Sequence, residues 1–365
     1  MSTTIRNKVE VKGGFVSGNM PGFQNTASHV AGYTETTILD YSFIGGVLAS
    51  NGKIYFVSNT GSSYVIVVNP MTGEIERLAS GSWVGRDIVS APDGMLYGLP
   101  LNGTTIMSIN PETHEVNVSH KTGVSSGGDD YNGAVLHPNG NIYLVPRNAN
   151  NVGVYNYAAN TFSATTPGLT GLVSSGWKWG GGCLAPNGKI YCGPNSFRNS
   201  VLIIDPYTPS LDQTTIAGMS TWVRYGWSYG CLAPNGKIYF APHAATTALI
   251  VDPSNDTADE TTITGVTGSY YGGVLAPNGK IYCLPSNATT NVLVIDPSDD
   301  SIDIATYTGL PATINKFVAT GILAPNGKIY AAGYDSAYKK VLELTPGGIP
   351  MLPIEPLLSP YKTHG

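Results

Sequence analysis

The chain is short of charge. Asp, Glu, Lys and Arg make up 12% of its 365 residues, where about a quarter is usual. Solubility must rest on neutral Ser, Thr and Asn, so recognition by this surface is expected to depend weakly on salt. The 19 Lys and Arg are scattered and the net charge is -5, which leaves no basic stripe for phosphates and argues against nucleic acid and anionic membrane. No apolar run approaches the length of a membrane span, and nothing near Met1 has the charged-then-apolar pattern of a secretory leader. The expected setting is therefore the cytoplasm in which the chain is made, or a particle in which it leaves. Cysteine is scarce too, at four residues.

What the chain has in abundance is one phrase. Versions of Gly272-Gly273-Val274-Leu275-Ala276-Pro277-Asn278-Gly279-Lys280-Ile281-Tyr282 recur seven times, and the closing tyrosines fall at Tyr55, Tyr97, Tyr143, Tyr191, Tyr239, Tyr282 and Tyr330. The spacing of 42 to 48 residues is that of propeller blades. Within a unit, Val274 to Ala276 reads as a first strand, Asn-Gly as a two-residue hairpin turn, and Lys280 to Leu284 as a second strand. Asn291 to Ile295 makes a third, Asp296-Pro297 turns, and the β-branched Ile302 to Thr306 stretch is a fourth. The fold predicted is all-β: a single seven-bladed β-propeller with four antiparallel strands per blade, spanning residues 33–346. After Leu344 no good fourth strand follows, so Thr34 to Leu39 is predicted to close the last blade. Residues 1–32 read as a coreless arm, and the proline-rich 347–365 as an extended tail.

Internal alignment sorts the side chains. One slot reads Val47, Val89, Val135, Cys183, Cys231, Val274, Ile322, and another Phe56, Gly98, Leu144, Cys192, Phe240, Cys283, Ala331. Cysteine therefore stands in for buried hydrophobes, not for metal ligands or disulfide halves. Four residues before the first slot the series Phe43, Gly85, Tyr131, Trp179, Trp227, Tyr270, Val318 is mostly aromatic, as packing between blades requires. Two residues earlier still, Tyr41, Trp83, Asp129, Trp177, Tyr225, Gly268, Lys316 share no chemistry, which suits a binding surface.

Repeats such as Leu-Ala-Pro-Asn-Gly-Lys-Ile-Tyr followed by Val-Leu-Ile-Ile-Asp-Pro resemble the seven-bladed propellers of the surface-layer, streptogramin-lyase and gluconolactonase-like group. Similar neutral, Asn-rich propellers occur in bacteriophage virion proteins. The resemblance covers about five sixths of the chain and implies a fold, because propellers host enzymes, lectins and scaffolds alike. Gluconolactonase-like relatives hold a divalent metal with carboxylates and amides, and streptogramin lyases use histidine, glutamate and magnesium. Here no glutamate stands in a channel-facing loop, and the adjacent pair Asp129-Asp130 with Asn132 is the one set suggesting a hard cation. His137, in a slot that is otherwise alanine, lies at the end of the strand away from the channel mouth.

The expected function is non-catalytic, without cofactor or metal: a binding and assembly propeller, a bacteriophage tail or capsid-surface component anchored to other subunits through residues 1–32. Its expected contact face comprises Trp83, Arg86, Asp129, Trp177, Lys178, Trp222, Arg224 and Tyr225, with Arg147 and His243 from the loops between second and third strands. Rings ringed by amide and guanidinium donors fit a neutral glycan, or a host-surface protein. A lactonase- or lyase-like enzyme and a soluble lectin are the alternatives.

Overall fold

In this computed structural model the described residues are 10–12, 31–37, 42–60, 64–101, 103–124, 129–172, 176–196, 198–219, 225–334 and 338–347. The repeated phrase builds a hairpin with one residue more in its turn than the sequence suggests. Ala276 N–H donates to Lys280 O and Gly279 N–H to Ala276 O, both at 2.9 Å, so Pro277, Asn278 and Gly279 form a three-residue loop. Gly279 alone takes the left-handed conformation, at φ 80°, the arrangement of a type I turn followed by a bulge.

Blade six shows the plan: Tyr270–Leu275, Ile281–Pro285, Leu293–Asp296 and Ser301–Asp303 pair antiparallel in chain order from the channel outward. The innermost strand begins four residues earlier than its apolar run suggests, and the outermost stops at Asp303. There the carboxylate accepts the Ala305 and Thr306 N–H groups at 2.7 and 3.0 Å, an Asx turn that draws the backbone off the sheet. Asp212 and Asp259 end blades four and five likewise. In blades one to six the first strand pairs with the second through a register shift near the channel, a bulge that re-aims side chains there.

Closure follows the sequence expectation. Gly32–Thr37 pairs with Lys340–Thr345 as the outer strand of blade seven. Glu10–Lys12 then adds a fifth strand, with Lys12 opposite Tyr33, so this part of the arm lies on its own ring. Residues 1–9 and 13–30 of the arm, Leu39, and the tail from residue 348 lie outside the described residues.

Each of the seven apolar clusters joins two neighbouring blades. Phe43, Phe56, Tyr330 and Val341, for instance, link blade one to blade seven, so every blade buries both faces. The four cysteines are free and buried within these seams, and burial pushes their thiols up.

The turn asparagine reaches across the seam. Asn187 Nδ2 donates to Tyr191 Oη within its blade and to Pro253 O of the next, both at 2.9 Å. Asn51, Asn235 and Asn326 bind Pro111, Pro297 and Pro70 in the same way, and Asn278 binds Gly347. The Asp-Pro and Asn-Pro turns are thus acceptors as well as turns. Between blades three and four His137 takes over: Nδ1 accepts from Asn139 N–H and Nε2–H donates to Gly188 O at 3.0 Å. Its role in the fold is to join blades. Asn187→Ala is expected to lower unfolding free energy by about 1–2 kcal/mol, the value of a lost hydrogen bond plus an unpaired acceptor; denaturant melts of this variant check it.

Candidate functional site

Entering loops and the loops between second and third strands meet on one face. Asp130 O accepts Arg147 N–H at 2.8 Å, Lys178 O accepts Asn195 N–H at 2.9 Å and Gly226 O accepts His243 N–H at 3.0 Å. The bulged slot beneath them reads Gly45, Asp87, Gly133, Gly181, Tyr229, Gly272, Thr320, and from it the Tyr229 ring reaches over Gly181 to Gly133. A Cβ at Gly181 would stand 2.4 Å from Tyr229 Cδ1, so glycine there makes room for the tyrosine. Tyr229 Oη donates to Asn132 Oδ1 at 3.3 Å, and Asn132 Nδ2 to Gly180 O at 3.0 Å. Asp87, buried in the same ring, accepts from Ile88 and Ala134 N–H at 2.8 and 3.0 Å.

Above this neck a continuous ladder crosses five blades. Asp129 accepts from Arg86 Nη2 at 2.5 Å and from Arg147 Nη1. The Arg147 guanidinium lies 4.0 Å over the Trp177 ring, a stacking arrangement in which arginine is favourable. Trp177 meets Tyr225 at 5.1 Å between ring centres, Tyr225 meets His243 at 5.5 Å and His243 meets Tyr271 at 4.9 Å. Tyr271 continues to Tyr229 at 6.3 Å. Asp129 and Tyr225 hold left-handed backbone, at φ 54° and 67°, a conformation costing of order 1–3 kcal/mol for residues with a Cβ. Tyr225 is fixed in it by N–H donation to Ser196 Oγ at 3.1 Å and by Ala244 N–H donating to its carbonyl at 2.8 Å.

The structure brings Arg86, Asp129, Arg147, Trp177, Tyr225 and His243 together and adds Tyr271. Two expected contact residues stand elsewhere. Trp83 is buried in the seam between blades one and two and donates from Nε1 to Thr105 O at 2.9 Å. Trp179 and Trp227 make the same bond, to Ser200 O and Thr247 O. A Cβ at Gly85 would stand 2.7 Å from the Trp83 ring: where blade two has glycine in the aromatic slot, Trp83 supplies the ring from two residues upstream. Lys178 is fully buried, and its Nζ donates to Ala149 O at 2.6 Å. Burial lowers its pKa to about 8. It ties blade four to the loop of blade three, as Lys316 ties blade seven to Asn287 O and Thr289 O. Trp222 and Arg224 lie outside the described residues. The suggested cation set does not converge, because Asp129 is taken by two guanidinium groups and Asn132 by Tyr229 and Gly180.

The Nε of Arg86 is buried without a hydrogen-bond partner, and the His243 ring is buried beside the Tyr225 carbonyl. Burial lowers the His243 pKa to about 4 from an ordinary 6.5, against the pull of the Tyr225 carbonyl. The unfolded chain therefore binds this proton first, and stability falls as pH drops from about 6.5 to about 4. Asp87 runs the other way: burial raises its pKa from 3.8 to about 6, so stability rises as pH drops through that interval. His243→Gln keeps Asp87 and removes the acid loss. Relative to wild type it is expected to gain roughly 2 kcal/mol between pH 7 and pH 4, discounted for partial exposure. Denaturant titrations of both proteins at the two pH values test this, and a constant difference would refute it.

No protein-family model and no curated protein sequence matches the chain. Its fold is similar to that of a catalytically inactive histidine-to-alanine variant of virginiamycin B lyase from Staphylococcus aureus with quinupristin. That match has a TM-score of 0.68 and 15% identity, over 86% of this chain and 99% of that one. A streptogramin B lyase structure matches at TM-score 0.67 and 13% identity, over 86% and 97% of the two chains. A chain of the mitotic checkpoint complex matches at 0.64 and 12%, over 93% and 97%. At such identities the likeness carries the fold alone, a seven-bladed β-propeller shared by lyases and by a component of a multiprotein assembly.

Proposed function

We propose that the protein is a non-catalytic binding and assembly propeller, a tail or capsid-surface component of a bacteriophage virion, with the ladder from Arg147 to Tyr271 as its contact face and residues 1–32 as its anchor. The carrying observation is that ladder: half-buried rings drawn from successive blades, built on left-handed backbone at Asp129 and Tyr225. Aromatic rings and arginine held rigidly at a surface are the usual anchors of recognition. For the virion setting the support is the resemblance read from the neutral, Asn-rich repeats of the sequence.

The fold shared with lyases supplies the rival reading. Asp129, the carboxylate at the ladder, is engaged by two arginines and is poorly placed to act as a base. Incubation with quinupristin is expected to leave the ring closed in tandem mass spectrometry, the readout needed because elimination opens it without a change of mass; a linearised product would overturn the non-catalytic reading. Trp177→Ala is expected to weaken binding of the protein to purified virions or the host surface by about tenfold, while the melting temperature stays within about 2 °C. Unchanged binding would move the contact face elsewhere.

A further inference from the structure

The ladder borders a second feature of different chemistry. On the same face of blade six a recess of about 470 Å³, open to solvent, is lined by Thr267, Ser269, Asn287, Thr289, Thr290 and Asn291, with Gly268 and Ala288 completing its wall. Every polar side chain in it is a hydroxyl or an amide, and none is charged. The wall is held rigid from within: Asn287 Nδ2 donates to Ser269 Oγ at 3.0 Å, Ser269 N–H to Thr289 Oγ1 at 2.8 Å, and Asn291 Nδ2 to Tyr270 Oη at 3.0 Å. Lys316 Nζ fixes the backbone beneath it through Thr289 O at 2.8 Å. Ser269 lies two residues before Tyr271, so the wall of the recess leads directly into the ring that meets His243.

From this juxtaposition we infer that the ligand of the face is a neutral oligosaccharide, lying across blades four to six from Trp177 to the recess. This inference rests on the ladder being the contact face. Sugar rings present an apolar face for stacking and a rim of hydroxyls that both donate and accept. The half-buried Trp177 and Tyr225 rings supply the stacking surface. The His243 ring, edge-on to both Tyr225 and Tyr271, holds that surface in place. An uncharged recess recognises further hydroxyls without the cost of desolvating an ion. An acidic saccharide fits less well, because both guanidinium groups already hold the Asp129 carboxylate.

The test is isothermal titration of the full chain with neutral hexasaccharides of glucose, mannose and N-acetylglucosamine in α and β linkage, and with a uronate hexasaccharide for comparison. At least one neutral probe is expected to bind with Kd below about 1 mM, and Kd should change less than about twofold between about 50 and about 500 mM salt. Trp177→Ala should weaken it by about tenfold. Ala288→Trp, on an exposed loop position, should block the recess and weaken the hexasaccharide, while leaving binding of a disaccharide of the same sugar and linkage, measured alongside, unchanged. Circular dichroism of both variants guards against misfolding. Failure of all neutral probes to bind below about 10 mM, preference for the uronate, or binding indifferent to both substitutions would each overturn the inference. If no saccharide binds while Trp177→Ala abolishes attachment to virions, the contact face stands and its ligand is protein.

Discussion

Deleting residues 1–37 is expected to leave a ring that does not stay closed, whereas deleting 1–31 is expected to leave one that does. The longer deletion removes Gly32–Thr37, whose six residues pair with Lys340–Thr345. It strips Tyr33 from a cluster with Tyr307, Tyr338, Leu342 and Leu344. It also removes Glu35, 7% exposed, which accepts from Tyr338 Oη at 2.7 Å and Lys340 Nζ at 2.6 Å. Taking away one member of a buried charge pair costs about 3–5 kcal/mol because the partner is left desolvated. Lys340 keeps 30% side-chain exposure, so Glu35→Ala alone should fall near the lower end, about 3 kcal/mol. Glu35→Gln, which still accepts from Tyr338, should cost less. The whole strand adds the Tyr33 burial, about 1.5–3 kcal/mol, and together these approach a typical total stability of about 5–15 kcal/mol. Thermal and denaturant melts of the two deletions decide the matter: coincident transitions would show that closure lies elsewhere.

Trp227→Ala and Trp179→Ala should each lower unfolding free energy by about 3–5 kcal/mol, the range for emptying a buried aromatic site. Trp179 is wholly buried and Trp227 is 1% exposed, and each anchors its indole N–H on a carbonyl at the start of the third strand. Truncation leaves a cavity and an unpaired acceptor at once. Trp83→Ala belongs with them, since its ring fills the place of the missing aromatic at Gly85. Trp177→Ala should cost under about 1 kcal/mol, because a half-buried ring loses few packed neighbours. Four melts and one binding assay separate the groups, and equal destabilisation by all four would mean that the ladder is packing.

Much of the ring was legible because its rules are local. Asn-Gly, Asp-Pro and alternating apolar residues act within a hairpin, and seven copies average away the exceptions. What crosses from blade to blade was not. The turn asparagine looks complete as a turn former until the carbonyl of the next blade is in view. Lys178 between two tryptophans reads as an exposed cation, and only the neighbouring loop shows that Ala149 O receives it. Trp83 was misplaced because the alignment compared slots, while a ring reaches two residues along the chain. Tyr271 went unnoticed beside Tyr270, yet the slot Ile44, Arg86, Asn132, Gly180, Ser228, Tyr271, Ala319 carries the signal: it changes chemistry from blade to blade just above the neck.

The closing blade also fixes how the molecule faces its surroundings. Gly347 accepts Asn278 Nδ2 at the end of the ring that carries the Asn-Gly turns, and a Cβ on it would stand 3.1 Å from Ala31 Cβ. Both ends of the closed ring therefore emerge side by side, at one seam, on the side opposite the aromatic ladder. The ring is thus latched where its two ends meet, and the loops that carry the ladder, at the other end of the blades, take no part in holding it shut.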